Sequence, residues 1–222
     1  MLKSGPFILA ILLLFLSTAS VQAQLVGANV GLNYNNLRSM AETRDEIFSG
    51  GFGYSLQIQL EDIYNPISKL GLALQIDHYQ GSFRTLNGSP MSSQLDEGST
   101  ERLQLGLAIL PFQCLLFDKL QLQLGAEVNY LLNHMSSGVN RSSGPNGAHE
   151  LAYANPSRAF HNQTTFGLVG RVAYRIPIQT NWLLVPQLRY HYGISSDMGI
   201  VVPIASSRAV FACGLMYQLP KK

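Results

Sequence analysis

Lys119 to Leu132 reads KLQLQLGAEVNYLL. Leu120, Leu122, Leu124, Ala126, Val128, Tyr130 and Leu132 fall on one parity, and Gln121, Gln123, Gly125, Glu127 and Asn129 on the other. Successive side chains of a β-strand point to opposite faces, so this spacing predicts a strand with one apolar face and one polar or small face.

The same pattern recurs outward from this stretch. LVGANVGLNYNN sets Val26, Ala28, Val30, Leu32 and Tyr34 against Gly27, Asn29, Gly31 and Asn33. GGFGYSLQIQLE sets Phe52, Tyr54, Leu56, Ile58 and Leu60 against Ser55, Gln57, Gln59 and Glu61. LGLALQIDHY opposes Leu70, Leu72, Leu74 and Ile76 to Gly71, Ala73, Gln75 and Asp77. From Glu101, Leu103, Leu105, Leu107 and Ile109 oppose Gln104, Gly106 and Ala108 until Pro111, where a missing N–H predicts a bulge or an early end. Three later segments, from Gln163, Trp182 and Ser207, alternate in the same way and place Arg171, Arg175, Arg189, His191 and Arg208 on the polar parity. The expectation is an all-β, eight-stranded, antiparallel up-and-down transmembrane barrel, the smallest even-stranded membrane barrel.

The connections alternate in length. Short joins (62–68, 118–119, 177–181) alternate with long polar ones (37–49, 81–100, 133–162, 193–206). Short turns on one side and long loops on the other is the arrangement of outer-membrane barrels. The longest, from Asn133 to Asn162, is rich in Ser, Gly, Asn and Pro and is expected to be mobile and partly disordered.

A soluble lipocalin-like carrier would share this parity with its apolar face turned inward. Its outer face would then be charged, yet beyond Lys3 lysine occurs only at Lys69, Lys119, Lys221 and Lys222, all at turns or the terminus. A polar face of Gly, Gln, Asn and Ser with a few Arg suits a crowded interior instead. Aromatic residues near strand ends, Tyr34, Phe52, Tyr54, Tyr130, Phe166, Trp182, Tyr192 and Tyr217, are placed to form interfacial girdles.

Residues 1–23 read as a signal peptide and 24–222 as the barrel domain. Lys3 precedes the apolar run FILAILLLFL, and Val21-Gln22-Ala23 supplies a small-residue cleavage site. The run is too short for the ~20 apolar residues a membrane-spanning helix needs. Removing Lys3 leaves 14 basic against 13 acidic residues, a net charge of +1 that argues against nucleic acid as a partner. Cys114 and Cys213 fall in strands that are not neighbours and read as small packed side chains, with a disulfide as the alternative.

The leader, the first strand GANVGLNYNN, the segment FGLVGRVAYRI and the segment PQLRYHYGI together resemble the PorT-like outer-membrane barrels of Bacteroidetes-type bacteria. The resemblance runs over the whole mature chain, departs at the terminal YQLPKK, and implies a barrel in the cell outer membrane that assists a secretion or envelope machine.

Two constellations carry candidate chemistry. Glu61, Asp77 and Glu127 share the polar parity with Arg171, Arg175, Arg189 and Arg208, and in so narrow a lumen these charges must pair. A salt-bridged plug is expected in preference to an open path. His134-Met135-Ser136 is similar to the His and Ser of lipid A deacylases, with Glu150 as the orienting carboxylate, although Ser137 stands where those enzymes carry Asn. Continued even parity would put both residues on the lipid side. His78, His149, His161 and His191 show no metal-ligand spacing, and nothing in the sequence calls for a cofactor. The expected partners are outer-membrane lipid and, through the long loops, an extracellular or envelope protein; adhesion and envelope maintenance are the corresponding roles.

Overall fold

The computed structural model describes residues 25–39, 46–64, 69–89, 92–144, 147–155, 163–196 and 204–220. The predicted leader and its cleavage site lie outside the described residues, as does His161. The strands are β1 (Leu25–Ser39), β2 (Glu46–Tyr64), β3 (Lys69–Ser89), β4 (Ser92–Leu116), β5 (Leu120–Gly144), β6 (Gly147–Asn155), β7 (Thr164–Tyr174), β8 (Ile176–Gln179), β9 (Trp182–Gly193) and β10 (Ile204–Gln218). Hydrogen bonding runs β10-β1-β2-β3-β4-β5-β7-β9, and β9 pairs with β10 to close the ring. The eight ring strands are antiparallel to their neighbours. Among the described residues closure leaves each ring strand paired with a neighbour on both sides, so the barrel wall has no free sheet edge. β8 continues the line of β7 past Arg175, and β6 pairs with the upper part of β5 beyond the ring.

The two parities meet different surroundings. In KLQLQLGAEVNYLL, Gln121, Gln123, Glu127 and Asn129 are buried, while Leu122, Leu124 and Val128 are exposed, Leu124 by 61%. Leu32, Phe52, Phe112, Leu168, Leu188 and Phe211 continue the exposed apolar wall around the barrel. Most of the lumen is polar, with small apolar layers among the polar ones: Ala73, Ala108, Leu110 and Val169 in one, and Leu25, Ala173, Val185 and Met216 near the short-turn end. This polarity is the inverse of a soluble barrel's and overturns the lipocalin-like alternative. Girdle contacts stand at both ends of the wall: Tyr34 against Phe52 with centroids 5.1 Å apart, Tyr54 stacked on His78 at 4.7 Å, and Trp182 edge-on to Tyr217 at 5.1 Å.

Three bulges change which side chains the barrel turns inward or tolerates on its wall. Between Leu60 and Ile63 the β2/β3 register shifts, with Asp62 at φ 53°, so that Glu61 and Asp62 are both buried although adjacent. Between Ile109 and Phe112 β4 sets two residues, Leu110 and Pro111, opposite the single Gly125 of β5, the bulge expected at that proline. A Cβ at Gly125 would strike the Ile109 carbonyl, so the bulge requires glycine on the facing strand. The third lies at Leu132, the extra residue between the pairs Gln104–Leu131 and Leu103–Asn133.

The long connections differ from expectation. The described parts of 81–100 and 133–162 are strand: β3 and β4 pair out to Ser89–Ser92, and β5 and β6 pair out to Gly144–Gly147. With the start of β2 they build a flange that rises above the ring on one side. Ser, Gly and Asn on both faces erase the period-two signal there, and cross-strand pairing supplies the order instead. Cys114 also departs from expectation, being exposed on the outer side of β4; both cysteines are free.

At the short-turn end, Leu116 to Lys119 form a two-residue hairpin turn with Phe117 at φ 53° and Asp118 at φ 59°, closed by Lys119 N donating to Leu116 O at 3.2 Å. Both central residues sit in the left-handed region, which costs an L-residue about 1–2 kcal/mol and which Asn-Gly tolerates far better. Phe117 is 91% exposed and offsets little of this by packing. The double change Phe117→Asn with Asp118→Gly is therefore expected to raise stability by about 1 kcal/mol. A chemical-denaturation midpoint that falls would refute the strain argument.

Candidate functional site

The lumen gathers the predicted charged residues into two clusters. At the short-turn end, Glu61 accepts from Arg171 Nη1 and from Arg175 Nη2, the latter at 2.9 Å. Asp62 Oδ2 stands 3.6 Å from Arg175 Nη1 and accepts through Oδ1 from Gln113 at 2.6 Å. Gln113 accepts from Gln123 at 3.0 Å, and Gln123 accepts from Arg171 at 2.5 Å. Arg171 also donates to Gln187, which donates to Gln57 at 2.8 Å.

Nearer the flange, Arg189 donates to both oxygens of Asp77 at 3.2 and 3.1 Å and to Gln75 Oε1. Arg208 Nη1 donates to Asp77 at 2.9 Å and to Gln104 at 3.2 Å; its Nη2 donates to Glu127 at 2.6 Å and to Asn129 at 3.0 Å. His191 Nδ1 lies 3.1 Å from Glu127 Oε1, and the Arg208 guanidinium carbon lies 5.6 Å from the Tyr79 ring centroid.

These bonds cross the barrel. On the ring, β9 and β3 are four strands apart in either direction, as are β7 and β2. Arg189–Asp77 and Arg171–Glu61 therefore span the full diameter, and side chains fill the passage between the walls. An eight-stranded barrel leaves room for little more than its own interior side chains.

Parity missed part of this set. Asp62 is placed inward only by its bulge, and no alternation in the sequence reveals it. Its carboxylate makes four acids, Glu61, Asp62, Asp77 and Glu127, against Arg171, Arg175, Arg189 and Arg208. Arg102 and His191 are likewise buried in the lumen, on parities shared with Gln104 and Arg189 that made them legible. His191, two residues before the end of β9, is buried and faces Glu127.

The residues of the hydrolase pattern are placed differently from expectation. The extra residue at Leu132 flips the parity of β5, so His134 turns into the lumen rather than toward the outside, and its Nε2 lies 2.7 Å from Thr100 Oγ1. Ser136 shares that inward parity, opposite Thr100. Glu150 pairs across β5 with Arg141, five residues farther along than Ser136 and on the opposite face. At about 3.3 Å of rise per residue this is roughly 16 Å away. Its carboxylate is engaged by Arg141 Nε at 3.3 Å.

On the flange, the outward face carries a charge ladder across four strands. Arg84 Nε meets Glu97 at 3.0 Å, Arg141 Nη1 meets Glu97 at 3.3 Å, and Arg141 Nε meets Glu150. The inward face aligns Phe83, Gly98, Gly138 and Tyr153 in one cross-strand row. Tyr153 Oη donates to Asp96 Oδ1 at 2.8 Å; partial burial, and then the Asp96 carboxylate, push its phenol up, so it stays a donor. Among the described residues no group of His, Cys, Asp and Glu is arranged to hold a metal ion.

No protein-family model matches the sequence, and no curated protein matches it. Among solved structures, the chain is similar to neisserial surface protein A, at 14% identity over 87% of this chain and 97% of that one, TM-score 0.45. It is also similar to the attachment invasion locus protein of Yersinia pestis, at 9% identity over 88% and 99%, TM-score 0.37. A major outer membrane protein from Thermus thermophilus aligns at 17% identity over 86% and 99%, TM-score 0.36.

Proposed function

We propose that this chain is a non-enzymatic barrel of the cell outer membrane, anchored by its apolar wall, plugged by its polar interior and working through the flange on its outer side. The observation that supports it is the inverted, closed barrel: an apolar exterior around a ring whose interior is crossed by ion pairs. Exposing that wall to water would forgo about 25 cal/mol for each Å² of apolar surface, and closure of the ladder meets the demand that no backbone group face lipid unpaired. The short turns then lie on the periplasmic side and the flange outside the cell.

The lumen argues against a diffusion pore, since Arg189–Asp77 and Arg171–Glu61 would both have to open for a solute to pass. Activity falls instead to the surface, where the flange offers an ordered sheet to an extracellular or envelope protein. The loose PorT-like resemblance favours assistance to a secretion or envelope machine; adhesion and envelope maintenance use the same surface.

The expected result on fractionation is recovery in the outer membrane, with a band whose electrophoretic mobility changes on heating. Release by osmotic shock, with no heat-dependent shift, would contradict a spanning barrel.

A further inference from the structure

We propose that the outer edge of β6 is a docking edge, which takes up an extended segment of a partner protein as an added antiparallel strand. The inference rests on the membrane reading above, which puts the flange outside the cell.

β6 pairs with β5 through nine consecutive residues, Ser136–Asn155 to Gly144–Gly147, without a register shift. Among the described residues it has no second neighbour. The strand that would have covered it stops short: β9 ends at Gly193 opposite Gly167, and Ile194 and Ser195 bond back to the Phe166 carbonyl of β7. Every second N–H and C=O of β6 is thus directed away from β5. Natural sheets blunt such edges with Lys, Pro or a bulge. GAHELAYAN contains neither residue, the pairing is regular, and Leu151 is 70% exposed.

The flange also specifies the sign of what would pair there. Its outward ladder alternates Arg84, Glu97, Arg141 and Glu150 across β3, β4, β5 and β6, and ends on a carboxylate at the free edge. The next strand in that order would carry a cation opposite Glu150. On the other face the row Thr85, Asp96, Asn140 and Leu151 ends on an exposed leucine, which favours an apolar residue beside the cation. Main-chain bonds would supply the affinity and these two positions the selectivity, as in other strand additions. A second copy fits less well. Two barrels in one membrane related by an axis along its normal present β6 edges running the same way toward the membrane, which precludes an antiparallel pair.

The test uses the full mature chain refolded into phosphatidylcholine nanodiscs, with a heat-dependent mobility shift confirming the folded barrel. The probe is the fluorescently labelled nonapeptide TTSTVKTVT, which places Lys opposite Glu150 and Val opposite Leu151, compared with TTSTVETVT. Saturable binding of the first, about fivefold tighter than the second, is expected in fluorescence anisotropy, with the preference reversed in Glu150→Lys. Alternate N-methylation of the peptide on its pairing side should abolish binding. A folded barrel that binds neither peptide, that binds both equally, that keeps its preference in Glu150→Lys, or that dimerises through β6 without peptide would overturn the docking edge alone. A chain with no heat-dependent shift would overturn the membrane reading beneath it.

Discussion

Replacing Arg208 with alanine is expected to destabilise the barrel more than any other single change in the lumen, by about 3–5 kcal/mol. Arg208 is fully buried and its two terminal nitrogens hold Asp77 at 2.9 Å and Glu127 at 2.6 Å. Removing it leaves two carboxylates inside the barrel, with Asp77 retaining its contact with Arg189 and Glu127 retaining the His191 side chain at 3.1 Å. An uncompensated buried charge costs far more than the pair itself contributes, so the penalty comes from what is left behind. Two companion variants separate this from simple loss of volume. Arg208→Lys keeps one charge but not the two-pronged geometry and should recover part of the loss. Glu127→Gln added to Arg208→Ala should recover part as well, because one orphaned charge disappears. Denaturant titration in micelles, followed by the fluorescence of the single tryptophan Trp182, reads all three. An unchanged midpoint in Arg208→Ala would mean that the network does not hold the barrel together.

Placing a charge on the other face tests the surroundings of the wall. Leu124 sits on the outer parity of β5, in the middle of the apolar band and 61% exposed. Its neighbour Gln123 is buried in the lumen. In a bilayer, Leu124→Arg should cost about 2–4 kcal/mol, the range for an arginine near the midplane of a barrel wall. For a barrel in water the same substitution would fall within about ±0.5 kcal/mol, as exposed surface changes usually do. Folding titrations into lipid vesicles therefore give results of different size for the two cases. A negligible effect at Leu124 would count heavily against a lipid-facing wall.

The strands of the ring are legible because each is asymmetric, with one face against an apolar surrounding and the other against a polar interior. That asymmetry writes a period of two into LQLQLGAEVNYLL and its counterparts. Parity alone also assigns Glu61, Asp77, Glu127, Arg171, Arg175, Arg189 and Arg208 to one side of the sheet. Where both faces of a strand meet water the period disappears, so the hairpins of β3 with β4 and of β5 with β6 read as irregular chain. Bulges are the other blind spot. Pro111 announces one, since its nitrogen cannot donate, but Leu132 and Asp62 announce nothing. The extra residue at Leu132 turns His134 from the wall into the lumen, and the turn at Asp62 supplies a fourth carboxylate.

Alternation, turn lengths and the scarcity of lysine were enough to determine an eight-stranded antiparallel barrel and which residues share a face, because these depend on local geometry and on how side chains partition between solvents. Which carboxylate meets which arginine across the lumen, and the flange whose β6 edge is left open, were decided only by the tertiary structure. Register and bulges set those relations, and they arise from pairing between distant segments, as in Arg208 and Asp77, 131 residues apart, for which no short stretch of sequence carries a signal.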